Sequence, residues 1–459
     1  MKSRNARGGA LTASAPSHNV ASTQISGLSD TPEVVMATRR EFLTVTASTL
    51  AGAALTSRNA LGAPKAMTVV RESSFIKPFD DYFAKTLATE YEKQTGIKIN
   101  YEATSVGGML TRLTTIAETK SGPEIAMTAL NWPHLFDQSL VDVTDIAGEI
   151  GKQLGGWHEN VLEVLVVNKK WKALPWGNIG QLEVYRTDWF KEVGVNKFPE
   201  TWEDLLAAGR LLKKKGHPFG FELGHGFGDN HGWLYPLFWS YGGREVDRDG
   251  KTVVIDSAET AKAVDFCRKF YQETMFEDVL GWTDVNNNKA FFGEQISCTN
   301  NASSILEVGL RQFPDIAKVT DHAMNPSGPK GRFHVLNAVS HAVLTHAPDQ
   351  AAAKAFLRWL YDDKQMSRWL ASANAYYAPF LHGYDNHPMW NVEPRYLPYK
   401  ESLKTSRPHT WPGPQGHASS ESVAKYVLVD MFAKACRGDS TKDVVATAAA
   451  QLKQIYKAK

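Results

Sequence analysis

The sequence predicts an α/β protein with mixed sheets, and three observations carry that reading. From Met67 onward, short apolar runs alternate with longer segments of helical period, the pattern of chains that lay helices against sheets. The 459 residues, 43% of them apolar, allow two or three domains with substantial cores. Three cysteines are too few to staple a small scaffold, so apolar packing must hold the fold.

The elements follow in order. Met67 to Arg71 is the first expected strand. Phe79, Phe83, Leu87 and Tyr91, four apart, line one face of a helix that Gly96 stops, and Ile97 to Tyr101 returns as a strand to complete a βαβ unit. A helix over Gly108 to Lys120 turns Leu110, Leu113, Ile116 and Ala117 inward, and Glu124 to Leu130 is the next strand. Thr201-Trp202-Glu203-Asp204 has the form of a helix N-cap box, and the periodicity of Leu205, Leu206, Leu211 and Leu212 ends at Gly216. Asp256 with Glu259 opens another helix that runs through Tyr271. Pro348, at a first helical position, opens one with Ala352, Ala355, Phe356, Trp359 and Leu360 facing a core. The tail holds two more, Ser420 to Cys436 and Ser440 to Lys457, separated by Gly438. No repeat or low-complexity linker interrupts this part of the chain, so its lobes are expected to be closely coupled.

Charge narrows the function. The chain has 51 basic and 49 acidic residues; residues 1–66 hold seven and three of them, leaving 44 against 46. A nucleic-acid binder would carry a basic excess or stripe, and neither is present.

Residues 1–66 read as an N-terminal extension and export signal. Arg39-Arg40-Glu41-Phe42-Leu43 leads into a mildly apolar run that ends at Leu55, shorter than the ~20 residues a membrane-crossing helix needs. Paired arginines before such a run resemble a twin-arginine signal peptide. A free periplasmic protein is expected, with small residues around Ala60 to Ala66 as the cleavage region and Met36 as an alternative start. Cys267, Cys298 and Cys436 match no metal-ligand spacing; burial as small apolar residues is the default, with a single disulfide left open.

Six segments, in order, resemble the extracellular solute-binding proteins of carbohydrate ABC importers, the maltose-binding-like group. They are Glu90 to Tyr101 (EYEKQTGIKINY), Ser121 to Ile125 (SGPEI), Leu174-Pro175-Trp176 with Val184 to Gly194, Pro199 to Leu205 (PETWEDL), Phe292 to Ile296, and Ala353 to Leu360. Tyr185-Arg186 and Gln295-Ile296-Ser297 depart from the family pattern. The resemblance implies a type II periplasmic-binding-protein fold: two discontinuous α/β lobes joined by a hinge. Lobe one would be residues 67–180 plus 332–372 and lobe two residues 181–331 plus 373–459, with crossings near Asn178 to Gln181 and Gly331 to Leu336. It also implies a monomer that delivers a small carbohydrate to the membrane permease subunits of an importer, with no cofactor and no catalysis.

In open α/β sheets the carboxyl ends of the strands converge on the ligand crevice, which nominates residues independently of any family. Glu72, Ser73, Ser74 and Phe75 follow the first strand, Asn131 and Trp132 follow Glu124 to Leu130, Trp176 follows Ala173 to Pro175, and Asn300 and Asn301 follow Gln295 to Thr299. Amides, hydroxyls and aromatic rings suit a neutral sugar, whose C–H faces stack on rings while its hydroxyls need donors and acceptors together. The run Gly224 to Trp233 (GHGFGDNHGW) adds Asp229, Asn230 and Trp233; Trp411 and, after the return to lobe two, Asn374, Tyr376 and Tyr377 complete the candidates. Three alternatives remain. His225, Asp229 and His231 have metal-binding chemistry but no fixed spacing. Tyr376-Tyr377 with a histidine would suit a ferric ion in a metal-transport protein of the same fold. A secreted carbohydrate-active enzyme is the third, although the chain carries no catalytic motif of recognisable spacing.

Overall fold

The computed structural model describes residues 66–457; the arginine pair, Met36 and the cleavage region before Ala66 lie outside the described residues. The strands longer than two residues are β1 (Ala66–Glu72), β2 (Lys98–Thr104), β3 (Ile125–Ala129), β4 (Leu174–Asn178), β5 (Leu182–Arg186), β6 (Cys298–Asn301), β7 (Thr320–Ala323) and β8 (Ala338–Val343). They form a five-stranded sheet in the order β2-β1-β3-β8-β4 and a three-stranded sheet in the order β6-β5-β7. β1 runs parallel to β2 and β3, whereas β8 is antiparallel to β3 and β4, and both pairings of β5 are antiparallel. Both sheets belong to α/β lobes, and every residue of β3 and β8 is buried, as expected for strands covered on both faces.

The chain passes from the first sheet to the second between Asn178 and Leu182, and from β7 back to β8 through residues 324–337. Backbone hydrogen bonds tie Ala378 to Asn178 in both directions, at 2.7 and 2.9 Å, so a third segment lies beside the first crossing.

Local signals govern the helices. Phe79, Phe83, Leu87 and Tyr91 are all buried, on a rod that runs from Lys77 to Thr95 with a π turn over Tyr82–Leu87 and stops at Gly96, whose φ of 74° suits glycine. The Thr201 side chain accepts a hydrogen bond from the Asp204 N–H and caps helix Trp202–Lys214. Three expectations are corrected. Helix Ala258–Thr274 is capped by Ser257, which accepts from the Thr260 N–H, and Asp256 lies outside it. Asp349 caps helix Gln350–Leu360, so Pro348 precedes the cap. The segment after Ser420 is two helices, His417–Ala424 and Val427–Arg437, because Tyr426 adopts a left-handed φ of 54°. The three cysteines are buried and free, with the Cys267 and Cys436 sulfurs 3.9 Å apart. No helix among the described residues is long and apolar enough to cross a membrane.

Candidate functional site

The strand ends of both sheets enclose one small cavity. Glu72, the last residue of β1, and Phe75 face it from the first sheet, and Asn337, just before antiparallel β8, opens on the same edge. Ile179 and Gln181 of the first crossing form its floor; Asn301, the last residue of β6, with Ala302 and Ser304, close it from the second sheet. Phe227, Gly228, Asp229, Asp284 and Tyr376 complete the wall. The free space is about 20 Å³ for the centre of a water-sized sphere, room for about one water molecule. Two larger, open depressions of about 750 and 770 Å³ lie elsewhere, one beside His158 and Trp411 and one beside Phe136 and His417. Their walls do not come from the strand ends of both sheets, so the small cavity is the candidate site.

The glycine-rich run builds one side. The Asp284 carboxylate accepts from the N–H groups of Phe227, Gly228 and Asp229 at 2.5, 2.7 and 3.1 Å, at the positive end of helix Asp229–Ser240. Asn230 donates to the carbonyls of Gly224 and Gly226 and folds the loop back on itself. A Cβ at Gly226 would sit 1.9 Å from Glu222 Oε1, so only glycine lets this backbone close over that carboxylate. Asp229 Oδ2 accepts from Asn287 at 2.6 Å and from Asn301 at 3.1 Å.

Charge is concentrated here. Glu222, Asp229 and Asp284 are buried, with one carboxylate oxygen of each lying within 4.8 Å of the others. Burial, then the neighbouring Asp284 charge, holds the Asp229 and Glu222 carboxyls well above the ordinary carboxylate range. Glu72 is pushed up to about 8 by burial, with Arg71 opposing and Asp284 and Asp80 adding to the rise.

The expected residues divide into three groups. Asp229, Asn301 and Tyr376 line the cavity. Trp132 stands one ring back, edge-to-face on Phe227 at 5.4 Å and 68°. Ser73 is tied to the Thr104 carbonyl, Ser74 accepts from the Ile76 N–H, and Asn131 donates to Gln415 at 2.7 Å; none of these three lines the cavity. Asn230 holds the loop as described, and Asn300 donates to Asn325 at 3.2 Å, behind the wall. Three tryptophans lie elsewhere. Trp176 is the extra residue where β4 bulges against β8, since Val339 faces Gly177 and Ser340 faces Pro175; its ring is fully buried against Trp369, His341 and Tyr361. Trp233 is fully buried and donates to the Glu222 carbonyl at 2.7 Å. Trp411 borders the depression near His158.

The histidines of the glycine-rich run do not join Asp229 in a metal site: His225 stacks on Tyr426 and bonds Asp430 at 2.7 Å, while His231 packs edge-to-face on Tyr235 and His409. Of the adjacent tyrosines only Tyr376 lines the cavity; Tyr377 packs on Trp369 at 5.6 Å, and no histidine is among the described residues of the lining, so the tyrosine pair and histidine expected for a ferric ion are not brought together. Gln181, Asp284 and Asn337 were not nominated from the sequence. Gln181 could have been found from its place in the expected crossing; Asp284 follows no local pattern.

Two α/β lobes, one on a mixed sheet and one on an antiparallel sheet, with a polar cavity at their shared strand ends define a two-lobed α/β binding protein. Residues 72–367 match the model of the bacterial extracellular solute-binding protein family, and the chain belongs to that family. Among curated relatives, the diacetylchitobiose binding protein DasA of Streptomyces coelicolor is 26% identical over 195 residues, 42% of this chain and 44% of the relative. The chain thus matches less than half the length of that relative. Among solved structures, an ABC transporter solute binding protein from Thermotoga lettingae bound with α-D-tagatose aligns with a TM-score of 0.76 at 16% identity, over 85% of this chain and 100% of that one. Maltose-bound MalE3 from T. maritima aligns with a TM-score of 0.74 at 20% identity, over 85% and 99%.

Proposed function

We propose that this protein is the substrate-binding component of an ABC importer, which captures a small carbohydrate between its lobes and delivers it to the membrane permease. The observation that carries the reading is the cavity itself: amides, carboxylates, a tyrosine and two phenylalanines converge from the strand ends of both sheets. Paired donors and acceptors beside aromatic faces match the two surfaces of a sugar ring. The similar proteins point the same way: one is a diacetylchitobiose binding protein, and the two solved structures hold tagatose and maltose.

Residues 67–180 plus 332–372 form lobe one in this reading, and residues 181–331 plus 373–459 form lobe two. A space that admits about one water cannot take a sugar, so the lobes separate to load and close on the bound solute. Closure is a population shift: a solute that touches both lobes only when they are closed favours that form by its extra contacts. The closed surface is what the permease reads. The protein works as a periplasmic monomer, exported through the twin-arginine-like signal at Arg39-Arg40, with a task of capture and no chemistry on the solute.

A thermal-shift screen over neutral sugars, amino sugars and polyols, followed by calorimetry on the hits, tests this. Saturable binding at micromolar or lower Kd to at least one sugar is expected. No heat and no shift with any member would overturn the proposal.

A further inference from the structure

The cavity asks for more than a hydroxylated ring. Among the described residues that line it, three are carboxylic acids, Glu72, Asp229 and Asp284, and none is Lys, Arg or His. Glu222, also buried, stands directly behind, within 4.8 Å of Asp229 and Asp284. The nearest cation in sequence, Arg71, does not face the cavity. Its guanidinium lies 4.6 Å over Phe83 and 5.6 Å over both Trp176 and Trp369, among core rings on the other face of β1.

A second, independent observation concerns hydrogen bonding. Three lining side chains that are nine-tenths or more buried each leave one atom without a partner: Glu72 Oε2, Gln181 Oε1 and Asn337 Oδ1. All three are acceptors. The two amides are not parts of the acidic cluster, yet they make the same demand for a donor. Buried acceptors left empty are destabilising, so a bound group that donates to several of them recovers that cost on arrival.

We infer that the solute carries a primary ammonium group, as in an amino sugar, seated among Glu72, Gln181, Asn337 and the Asp229–Asp284 pair. This deepens the carbohydrate reading and rests on it. An ammonium has three donors, no acceptor and a full positive charge, which fits both the unpaired acceptors and a lining of three acids with no cationic side chain. A neutral hydroxyl brings one donor and would leave the charge as it stands.

Matched pairs decide the matter. The wild-type protein is titrated with amino sugars and their uncharged partners on the same ring: D-glucosamine against D-glucose and N-acetyl-D-glucosamine, D-galactosamine against D-galactose, and the chitosan dimer against cellobiose and N,N′-diacetylchitobiose. Putrescine and calcium ion are run as non-sugar probes. The expected result is at least ten-fold tighter binding of an ammonium-bearing sugar than of its partners, weakening as salt rises from 50 to 500 mM. Glu72→Gln should shrink the preference at least three-fold. Should that variant misfold, the salt dependence of the wild type still decides.

Tight binding of neutral sugars with equal or weaker binding of the amino forms would overturn the inference and leave the carbohydrate reading standing. Response to putrescine with none to any sugar would uphold the ammonium and overturn the carbohydrate. Calcium alone stabilising the protein would overturn the inference in favour of a metal ion, and no response to any probe would overturn both readings.

Discussion

Arg71 and Glu72 are consecutive residues of β1 that bury a cationic and an acidic side chain on opposite faces of one strand, and they are treated differently. Among the described residues Arg71 has no ion-pair partner; its guanidinium lies over the rings of Phe83, Trp176 and Trp369, which are themselves packed against Phe79, His341 and Tyr361. That face is packed with aromatic rings, although Arg71 Nε has no hydrogen-bond partner there. Glu72 faces a cavity of acceptors and other carboxylates, with one oxygen unpaired. A buried cation enclosed by rings belongs to the fold. A buried acid beside unfilled space and unpaired acceptors is open to a ligand.

The comparison can be broken at either residue's surroundings. The largest effect is expected on the completed side. Trp176→Ala should lower unfolding stability by about 3–5 kcal/mol in urea, as large-to-small core changes do, while leaving sugar affinity within about two-fold once the variant is folded. A strong loss of affinity with unchanged stability would return Trp176 to the cleft.

Next is the pH response of Glu72. Its carboxyl titrates at about 8 in the folded protein, against 4.5 as the ordinary value. The native state therefore holds an extra proton between those values. Stability linked to this group is complete below pH 4.5 and is lost as pH rises through 8. Glu72→Gln should match wild type at pH 4 and exceed it at pH 9 by about 2–4 kcal/mol, read by denaturant unfolding across that range. The difference between variants cancels the buried histidines, whose lowered values act in the opposite direction. A gap independent of pH would contradict the assignment.

On the cavity side, Asp229→Asn keeps the size and removes the ionisable carboxyl. Affinity for the best sugar should fall about 10- to 100-fold by calorimetry, with stability nearly unchanged or raised. The smallest effect is expected at Arg71→Met. Replacing a buried, unpaired guanidinium with an apolar chain of similar length should alter stability by less than about 1 kcal/mol. A loss of several kcal/mol would mean that the rings hold the cation more firmly than the comparison allows.

How much of this was legible in the sequence follows from where each signal lies. The helix from Lys77 to Gly96 and the cap at Thr201 were legible because spacing and capping are properties of a few adjacent residues. The strand expected over Gln295 to Thr299 lay close enough to β6 to bring Asn301 to the candidate list, whereas Asp229 was legible from the glycine-rich run and Tyr376 from its place after the expected return to lobe two. Trp176 was misplaced because its direction is set by a bulge, and the bulge depends on the register of β4 against β8, more than 160 residues away. Asp284 was invisible for a similar reason. It comes from an ordinary loop before helix Asn286–Phe292, and only folding brings it to the N–H groups of Phe227, Gly228 and Asp229. Tryptophans drew attention as sugar platforms, yet the rings that reach the cavity are Phe75, Phe227 and Tyr376.

The central claim is that two lobes part to admit a solute and close over it. Small-angle X-ray scattering of the exported protein, with and without the tightest-binding sugar from the screen, tests it most directly. The account predicts a larger radius of gyration for the free protein, and a bound profile that contracts onto the one calculated from residues 66–457 as described. Identical profiles in both states, with the sugar demonstrably bound, would contradict it.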